Sequence, residues 1–440
     1  MIPFHKPTLP FLVAIGVLSL AVLMGANLRR NFALLIGDYG MFGVGMAIAS
    51  TSTVVPAFAE HLGASNLLIG AIPSITILGY TLPPLFYANY TERQPHKLRF
   101  ILRYTIWERL PHLFMAAAAL FLAERWPGLA LLIVLLGLAT MSGVGGALMP
   151  AWMDLIAKVI PANYRGRLFA YSSTVGAGLG LGGAALTGYY LQAYAYPLNY
   201  ALIFATAFVF LMLSLLALAL VVEPELASNK PHVSTVAYLR RLPEILVRDR
   251  NFSWYLVSRA VGSFASMANG FYTVFALRVL QAPEWQVSRF TLVLLAGQTL
   301  ASLVFGYISD RIGHKPVLVA GTTAVIVGNL AALVSTHTGH IYLAFVFMAV
   351  ATAAGTISSL NLVMEFAPEA DRPTYIGLAT TLTAPVGFLA SLVGGLLADS
   401  VGYRAVFAVA GAAAAASVFV LATKVRDART IGSRDGALEA

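Results

Sequence analysis

Leu129 to Leu138 reads LALLIVLLGL, a run with no charged or strongly polar side chain at any position. A strand of a transmembrane barrel alternates apolar and polar residues, because one face meets lipid and the other a polar lumen. This stretch does not alternate, so it reads as a helix in an apolar solvent. Similar runs recur along the 440 residues, which are 59% hydrophobic and 11% charged with a mean hydropathy of +0.79. A soluble domain carries about 25% charged residues. A hydrocarbon core about 30 Å thick takes roughly 20 residues per helix, and charged or Pro/Gly-rich breaks divide residues 32 to 423 into twelve such spans. The pattern predicts an all-α polytopic membrane protein.

The 28 Lys plus Arg against 19 Asp plus Glu give a formal charge of +9. Cytoplasmic loops collect Lys and Arg. With the first span starting inside, that side receives nearly all of them, and the outer side only Arg125, Arg278, Arg289 and Arg404. Loop topology therefore accounts for the basic balance without a nucleic-acid partner. The expectation is a multi-pass protein of the cell membrane with both ends of the twelve-span unit in the cytoplasm. The sequence has no cysteine, which removes disulfides and thiolate chemistry. It has no H-E-x-x-H zinc pair, no G-x-S-x-G elbow and no phosphate-cradling G-x-x-x-x-G-K-S/T loop. It is read as no enzyme, with no metal and no cofactor.

Residues 223–250 hold Pro224, Pro231, Pro243 and five basic residues, and they separate a first six-helix bundle (31–222) from a second (251–424). A charged tail covers 425–440. Residues 1–30 form a hydrophobic extension in which 11–27 would reach about 26 Å as a helix. A cleaved signal peptide would leave Arg29 and Arg30 outside, so two readings stay open: an extra helix entering from outside, or a start at Met24.

The two bundles share landmarks. Arg30-Asn31-Phe32 opens the first expected span and Arg250-Asn251-Phe252 the seventh. Glu92-Arg93-Gln94-Pro95-His96-Lys97 follows the second span, and Asp310-Arg311-Ile312-Gly313-His314-Lys315 the eighth. Pro161 with Arg165 recurs as Pro368 with Arg372. Matched landmarks on the same side imply a parallel repeat, an arrangement in which two units rock about a shared site.

The stretch from Gly306 to Pro316, GYISDRIGHKP, resembles the signature loop of the major facilitator superfamily, G-x-x-x-D-R-x-G-R/H-K/R. The twelve spans and long central loop are similar to that family over the chain beyond residue 30. The first copy departs from the motif: Ala88 replaces the Gly, Glu92 the Asp and Pro95 the second Gly. The resemblance implies two six-helix bundles related by pseudo-twofold symmetry and secondary transport of a small molecule by alternating access. It also implies loops that latch the cytoplasmic side, with Asp310, Arg311 and Lys315 in one half and Glu92, Arg93 and Lys97 in the other. Asp154, Arg165, Arg167, Glu365 and Arg372 fall beside these loops and are expected to complete their charge clusters. Gly178-Leu179-Gly180-Leu181-Gly182-Gly183 resembles the G-P-x-L-G-G element of proton-coupled exporters, with Leu179 in place of the Pro. Close helix packing explains the same glycines.

Charges within a span cost roughly 2.5–3.5 kcal/mol on insertion scales and mark function. Asp38 and Arg259 stand at nearly equivalent depths of the first and seventh spans, and are expected to approach each other across the central cavity and to couple protons or substrate. A permanent structural pair, or separate local partners, is the competing reading. Glu108 and Arg109, being neighbours, should project about 100° apart on a helix and not satisfy one another; Glu108 and His112 share a face. Thr51, Thr53, Tyr80, Asn269, Tyr272, Gln298 and Asn361 are candidate substrate contacts, although hydroxyls in spans also bond their own helix carbonyls. No span shows opposing charges sufficient for a strongly ionic substrate. The expectation is therefore a monomer that exports a neutral or amphiphilic compound with protons; import of a sugar-like solute, or a receptor or lipid-handling role on the same fold, are the alternatives.

Overall fold

The computed structural model describes residues 26–92, 94, 96–224, 245–368 and 372–426. The hydrophobic extension through residue 25, most of the central loop, Arg93 and the tail from 427 lie outside the described residues. Those described are helical, with no strand among them. The first half contains α1 (Ala26–Ile48), α2 (Val54–His61), α3 (Asn66–Glu92), α4 (Lys97–Tyr104), α5 (Ile106–Phe121), α6 (Pro127–Val159), α7 (Ala162–Ala193) and α8 (Leu198–Ala219). The second contains α9 (Arg250–Ala265), α10 (Phe271–Arg278), α11 (Gln286–Ile312), α12 (His314–Leu333), α13 (Thr338–Phe366), α14 (Arg372–Ser400) and α15 (Tyr403–Thr423).

Ten segments of the described residues are long and apolar enough to cross a membrane. The α4–α5 pair, charged, and α7, glycine-rich, run beside them: α5 packs on α6 and α8, and α7 on α1 and α11. Two expected spans are interrupted. The run Ser50-Thr51-Ser52-Thr53 parts α1 from α2, and a 3₁₀ turn at Ser266–Ala268 parts α9 from α10. Side-chain hydroxyls compete for backbone groups, which is why such runs weaken a helix. The two breaks fall at matching places of the two halves.

The halves meet along α3 with α14 and α7 with α11. At the end away from the chain's basic loops their apolar core is continuous, with Phe58 and Tyr200 joining Phe271, Phe275 and Phe290 in one cluster. Toward the basic end it divides into two separate clusters, one around Phe32, Leu155 and Ile160 and one around Phe252, Tyr255 and Leu362. The molecule is thus sealed at one end and divided at the other.

The repeated Arg-Asn-Phe has a structural use in both places. Asn31 Nδ2 donates to Val222 O (2.8 Å) and its Oδ1 accepts from Val222 N (2.9 Å). Asn251 Nδ2 donates to Arg426 O (3.0 Å) and its Oδ1 accepts from Arg426 N (2.6 Å). Each asparagine ties the first helix of its half to the chain leaving the last, while Phe32 and Phe252 are buried below it.

Positive φ marks glycine turns that other residues would strain, Gly63 and Gly313 among them. Gly63 (φ +76°) ends α2, with Gly63 N donating to Glu60 O and Ala64 N to Ala59 O, a left-handed helix stop. Gly313 (φ +96°) is the lone residue between α11 and α12. The first-half counterpart, Pro95, lies outside the described residues; there α3 ends at Glu92 and α4 begins at Lys97.

Candidate functional site

Among the described residues, each half contains a cavity lined by buried polar or charged side chains. The first, about 390 Å³, is walled by aromatic and apolar side chains including Tyr39, Phe42, Tyr80, Met149 and Trp152, and by the charges Asp38, Glu108 and Arg109. Asp38, on α1, is buried. Its Oδ1 accepts from Ser214 Oγ on α8 (2.6 Å) and lies 3.9 Å from Arg109 Nη2; its Oδ2 accepts from Trp152 Nε1 on α6 (3.4 Å). Four helices converge on this carboxylate.

Arg109, on α5, is buried as well and fully occupied. Nε donates to Leu211 O (2.9 Å), Nη2 to Ser214 Oγ (3.1 Å), and Nη1 to Thr105 O (3.2 Å), to Thr105 Oγ1 and to Glu108 Oε2 (3.2 Å). Thr105 Oγ1 donates in turn to Glu108 Oε2 (3.0 Å). The result is two carboxylates on either side of one guanidinium, out of bulk water. Such an arrangement is stable only with dense hydrogen bonding, and it carries one more negative than positive group when all are ionised.

Two expectations are corrected here. Asp38 does not pair with Arg259: its partners all belong to its own half, because α5 delivers Arg109 closer than the opposite bundle delivers any cation. Glu108 and Arg109 do meet, because the long arginine chain curls back past its own helix turn. Glu108 turns to these partners and not to His112, which is buried with Nδ1 unbonded among the described residues.

The second cavity, about 270 Å³, lies inside the other half and takes in Tyr255, Arg259, Ser266, Asn269, Tyr272 and Thr352. Of the remaining candidate contacts, Tyr80 is in the first cavity, and Thr53 Oγ1 sits 2.5 Å from Thr291 Oγ1 across the seam. Asn361 bonds its own helix at Ile357 O (2.6 Å). Thr51, Gln298 and Asn361 line neither cavity.

The expected latch residues bind mostly within their own half. Lys97 Nζ lies 3.5 Å from Asp154 Oδ2. Glu223 caps α4, accepting from Lys97 N (2.9 Å) and Leu98 N (2.8 Å), and pairs with Lys158 Nζ (3.0 Å). Arg165 covers the end of α6, donating to Ile160 O (2.9 Å) and Ala157 O (2.7 Å). Arg167 stands over Tyr164, and Arg311 over Tyr307 at 4.2 Å. Lys315 Nζ donates to Ala422 O (3.2 Å). Glu92 closes α3, Arg372 opens α14, Asp310 lies near the end of α11 and Glu365 near the end of α13.

The sealed end holds the groups that sequence reasoning missed. Arg278 Nε donates to Glu60 Oε1 (3.0 Å), Nη1 to Asn66 Oδ1 (3.2 Å) and Nη2 to Ala64 O (3.0 Å), all across the seam. Asp399 accepts from Asn66 Nδ2 (2.8 Å), Asn66 N (3.2 Å) and Leu67 N (3.1 Å), so a carboxylate of the second half caps the N-terminus of α3 in the first. His61 Nε2 lies 3.0 Å from Glu284 Oε1. Burial opposes the charge on His61, but the Glu284 contact, with Glu60 nearby, outweighs it and raises the imidazole above its ordinary value. The one hint of this cluster in the sequence was Arg278, an arginine where the positive-inside bias leaves few. A further cross-seam bond runs from Ser74 Oγ to Phe388 O (3.1 Å).

The sequence matches the Major Facilitator Superfamily over residues 38–288 and 280–438. A chloramphenicol resistance protein of Pseudomonas aeruginosa is 29% identical over 127 residues, 28% of this chain and 29% of that protein. An uncharacterized protein of Mycobacterium bovis is 28% identical over 158 residues, 35% of this chain and 29% of its own length. The chain thus matches under a third of the length of these relatives. Among solved structures, a mutant of the nucleoside transporter NupG superposes with a TM-score of 0.72 at 15% identity, covering 90% of this chain and 100% of that one. A D-xylose-proton symporter gives 0.69 at 14% identity over 90% and 98%, and a bacterial homologue of the iron transporter ferroportin, in its inward-facing state, 0.69 at 15% over 91% and 100%. With a family match across most of its length and a fold shared with these transporters, this chain belongs to the Major Facilitator Superfamily.

Proposed function

We propose that the protein is a proton-coupled secondary transporter that moves an amphiphilic small molecule by alternating access, with export the favoured direction. The observation that carries the reading is the Asp38–Arg109–Glu108 group, where one guanidinium serves two carboxylates beside a cavity. One proton balances that group, and its arrival or departure changes which carboxylate holds Arg109. Ser214 and Leu211 of α8 and Trp152 of α6 are bonded to the same atoms, so the change is felt by three further helix contacts. Mobile charge inside a bilayer is the usual mark of proton relays.

The aromatic wall of the first cavity suits a substrate with an apolar body. The name of the chloramphenicol resistance relative favours outward movement of such compounds. We place the basic end in the cytoplasm on the lysine and arginine bias; the seal made by Arg278, Asp399 and Glu284 then faces outside and the divided core opens inward.

The test is solute-triggered proton movement in proteoliposomes loaded with a pH-sensitive dye, using a panel of neutral and charged amphiphiles. At least one solute should drive proton flux in the parent protein and none in Asp38→Asn, with equal amounts of both inserted. Full coupling in Asp38→Asn sinks the proton assignment; the absence of any solute-dependent flux sinks the transport reading.

A further inference from the structure

The second-half cavity holds one formal charge, Arg259, and no acidic residue in its wall. Arg259 is exposed within it, on the same face of α9 as Tyr255, Gly262 and Ser266. No carboxylate of the described residues lies within ion-pair distance of this guanidinium, whereas Arg109 of the other half has two.

The other polar groups of the wall are already bonded. Tyr255 OH donates to Ser359 O (3.0 Å), Tyr272 OH to Asn329 Oδ1 (3.1 Å), and Ser258 and Ser417 bond each other's side chains and carbonyls. The remaining serine and threonine hydroxyls donate to carbonyls of their own segment. Arg259 and Asn269 alone keep side-chain donors without a protein partner among the described residues. Arg259 lies within α9 and Asn269 just beyond the 3₁₀ turn that follows it, so the two stand at different depths of the cavity.

A guanidinium held at mid-span without a partner is costly and persists where a water-filled cavity or a ligand receives it. Its planar fork matches the two oxygens of a carboxylate or phosphate, which accept parallel charge-assisted hydrogen bonds. The first cavity, with Asp38 and Glu108, repels the same group. We propose that the second-half cavity binds the anionic end of an organic acid, a carboxylate or phosphate seated on Arg259, with Asn269 meeting a polar group further along the ligand. The inference rests on the transport reading and narrows its amphiphilic substrate to an anionic one.

Three probes sharing one body and differing in charge test it: 4-phenylbutyrate, 4-phenylbutanol and 4-phenylbutylammonium. Binding is measured by tryptophan fluorescence on the full chain in phosphatidylcholine nanodiscs. The carboxylate should bind at least about tenfold more tightly than the alcohol, the amount that one charge-assisted contact supplies, and the ammonium most weakly. Arg259→Gln should bring the carboxylate down to the alcohol while the alcohol's own affinity stays unchanged, which shows an intact cavity; Arg259→Lys should restore part of the preference. Equal affinities in the parent protein, a carboxylate preference that survives Arg259→Gln, or binding of none of the three overturns the proposal. Loss of 4-phenylbutyrate binding when phosphatidylglycerol replaces phosphatidylcholine hands the site to a lipid headgroup and overturns it too. Selective binding without flux in proteoliposomes leaves the anion site standing and removes the transport reading; flux without charge preference does the reverse.

Discussion

Asn31 and Asn251 do the same work in the two halves, while Asp38 and Arg259, at nearly equivalent depths, do opposite work. The asparagines each close a bundle onto the chain that leaves it. The charges differ in sign and in company: Asp38 takes partners from three other helices, and Arg259 faces a cavity with no carboxylate among the described residues. The two halves share what holds a bundle together and differ in the charge that lines the cavity.

The sharpest break in that contrast is expected at Arg109. Arg109→Met leaves two buried carboxylates without their cation and should cost about 3–5 kcal/mol, read as a lowered melting temperature in detergent. The same thermal assay on Arg259→Gln should show a change well below that, because no buried partner is orphaned. If both variants lose equal stability, the halves are not chemically distinct.

The next effect falls on the seam. A Cβ on Gly70 would lie 2.6 Å from Ser391 O, and one on Gly395 2.7 Å from Leu67 Cα, so the sealed end closes on two glycines from opposite halves. Gly395→Val should push the population toward the open seam by about 1–3 kcal/mol, the usual cost of overpacking. The native chain contains no cysteine, so alkylation of a Thr53→Cys reporter, buried here against Thr291, should quicken in that background.

Asn31→Ala and Asn251→Ala should each cost about 0.5–1.5 kcal/mol for every hydrogen bond lost. Denaturation midpoints that differ widely between the two would show that the clamps are alike in shape and unlike in weight. The smallest effect concerns His61. Its raised value means that the ion pair with Glu284 is fully present below the ordinary histidine value near about 6.5 and fades as pH climbs through the raised one. The seam should therefore loosen toward alkaline pH, by less than about 1 kcal/mol for so exposed a pair, and His61→Gln should flatten the pH dependence of Thr53→Cys labelling.

Helical spans were legible because an apolar solvent imposes a long one-dimensional pattern, as in Leu129–Leu138. The repeat was legible because Arg-Asn-Phe is short and local. Partners across spans were not. Whether Asp38 meets Arg109 or Arg259 depends on how helices tilt and rotate, and nothing in either local sequence encodes that. Glu108 and Arg109 were misjudged because backbone direction was taken for the reach of a flexible side chain. Arg278 stood out as an exception to loop charge, but Glu60, Asn66 and Tyr403 become its partners only once Gly63 has turned the chain.

Asp399 lends its oxygens to amides at the start of a helix that belongs to the opposite bundle. Separation therefore unfastens more than a contact: it strips a helix of its stopper and leaves bare N–H groups at the start of α3 for water to satisfy. Any gap that widens there has to admit water to meet those amides.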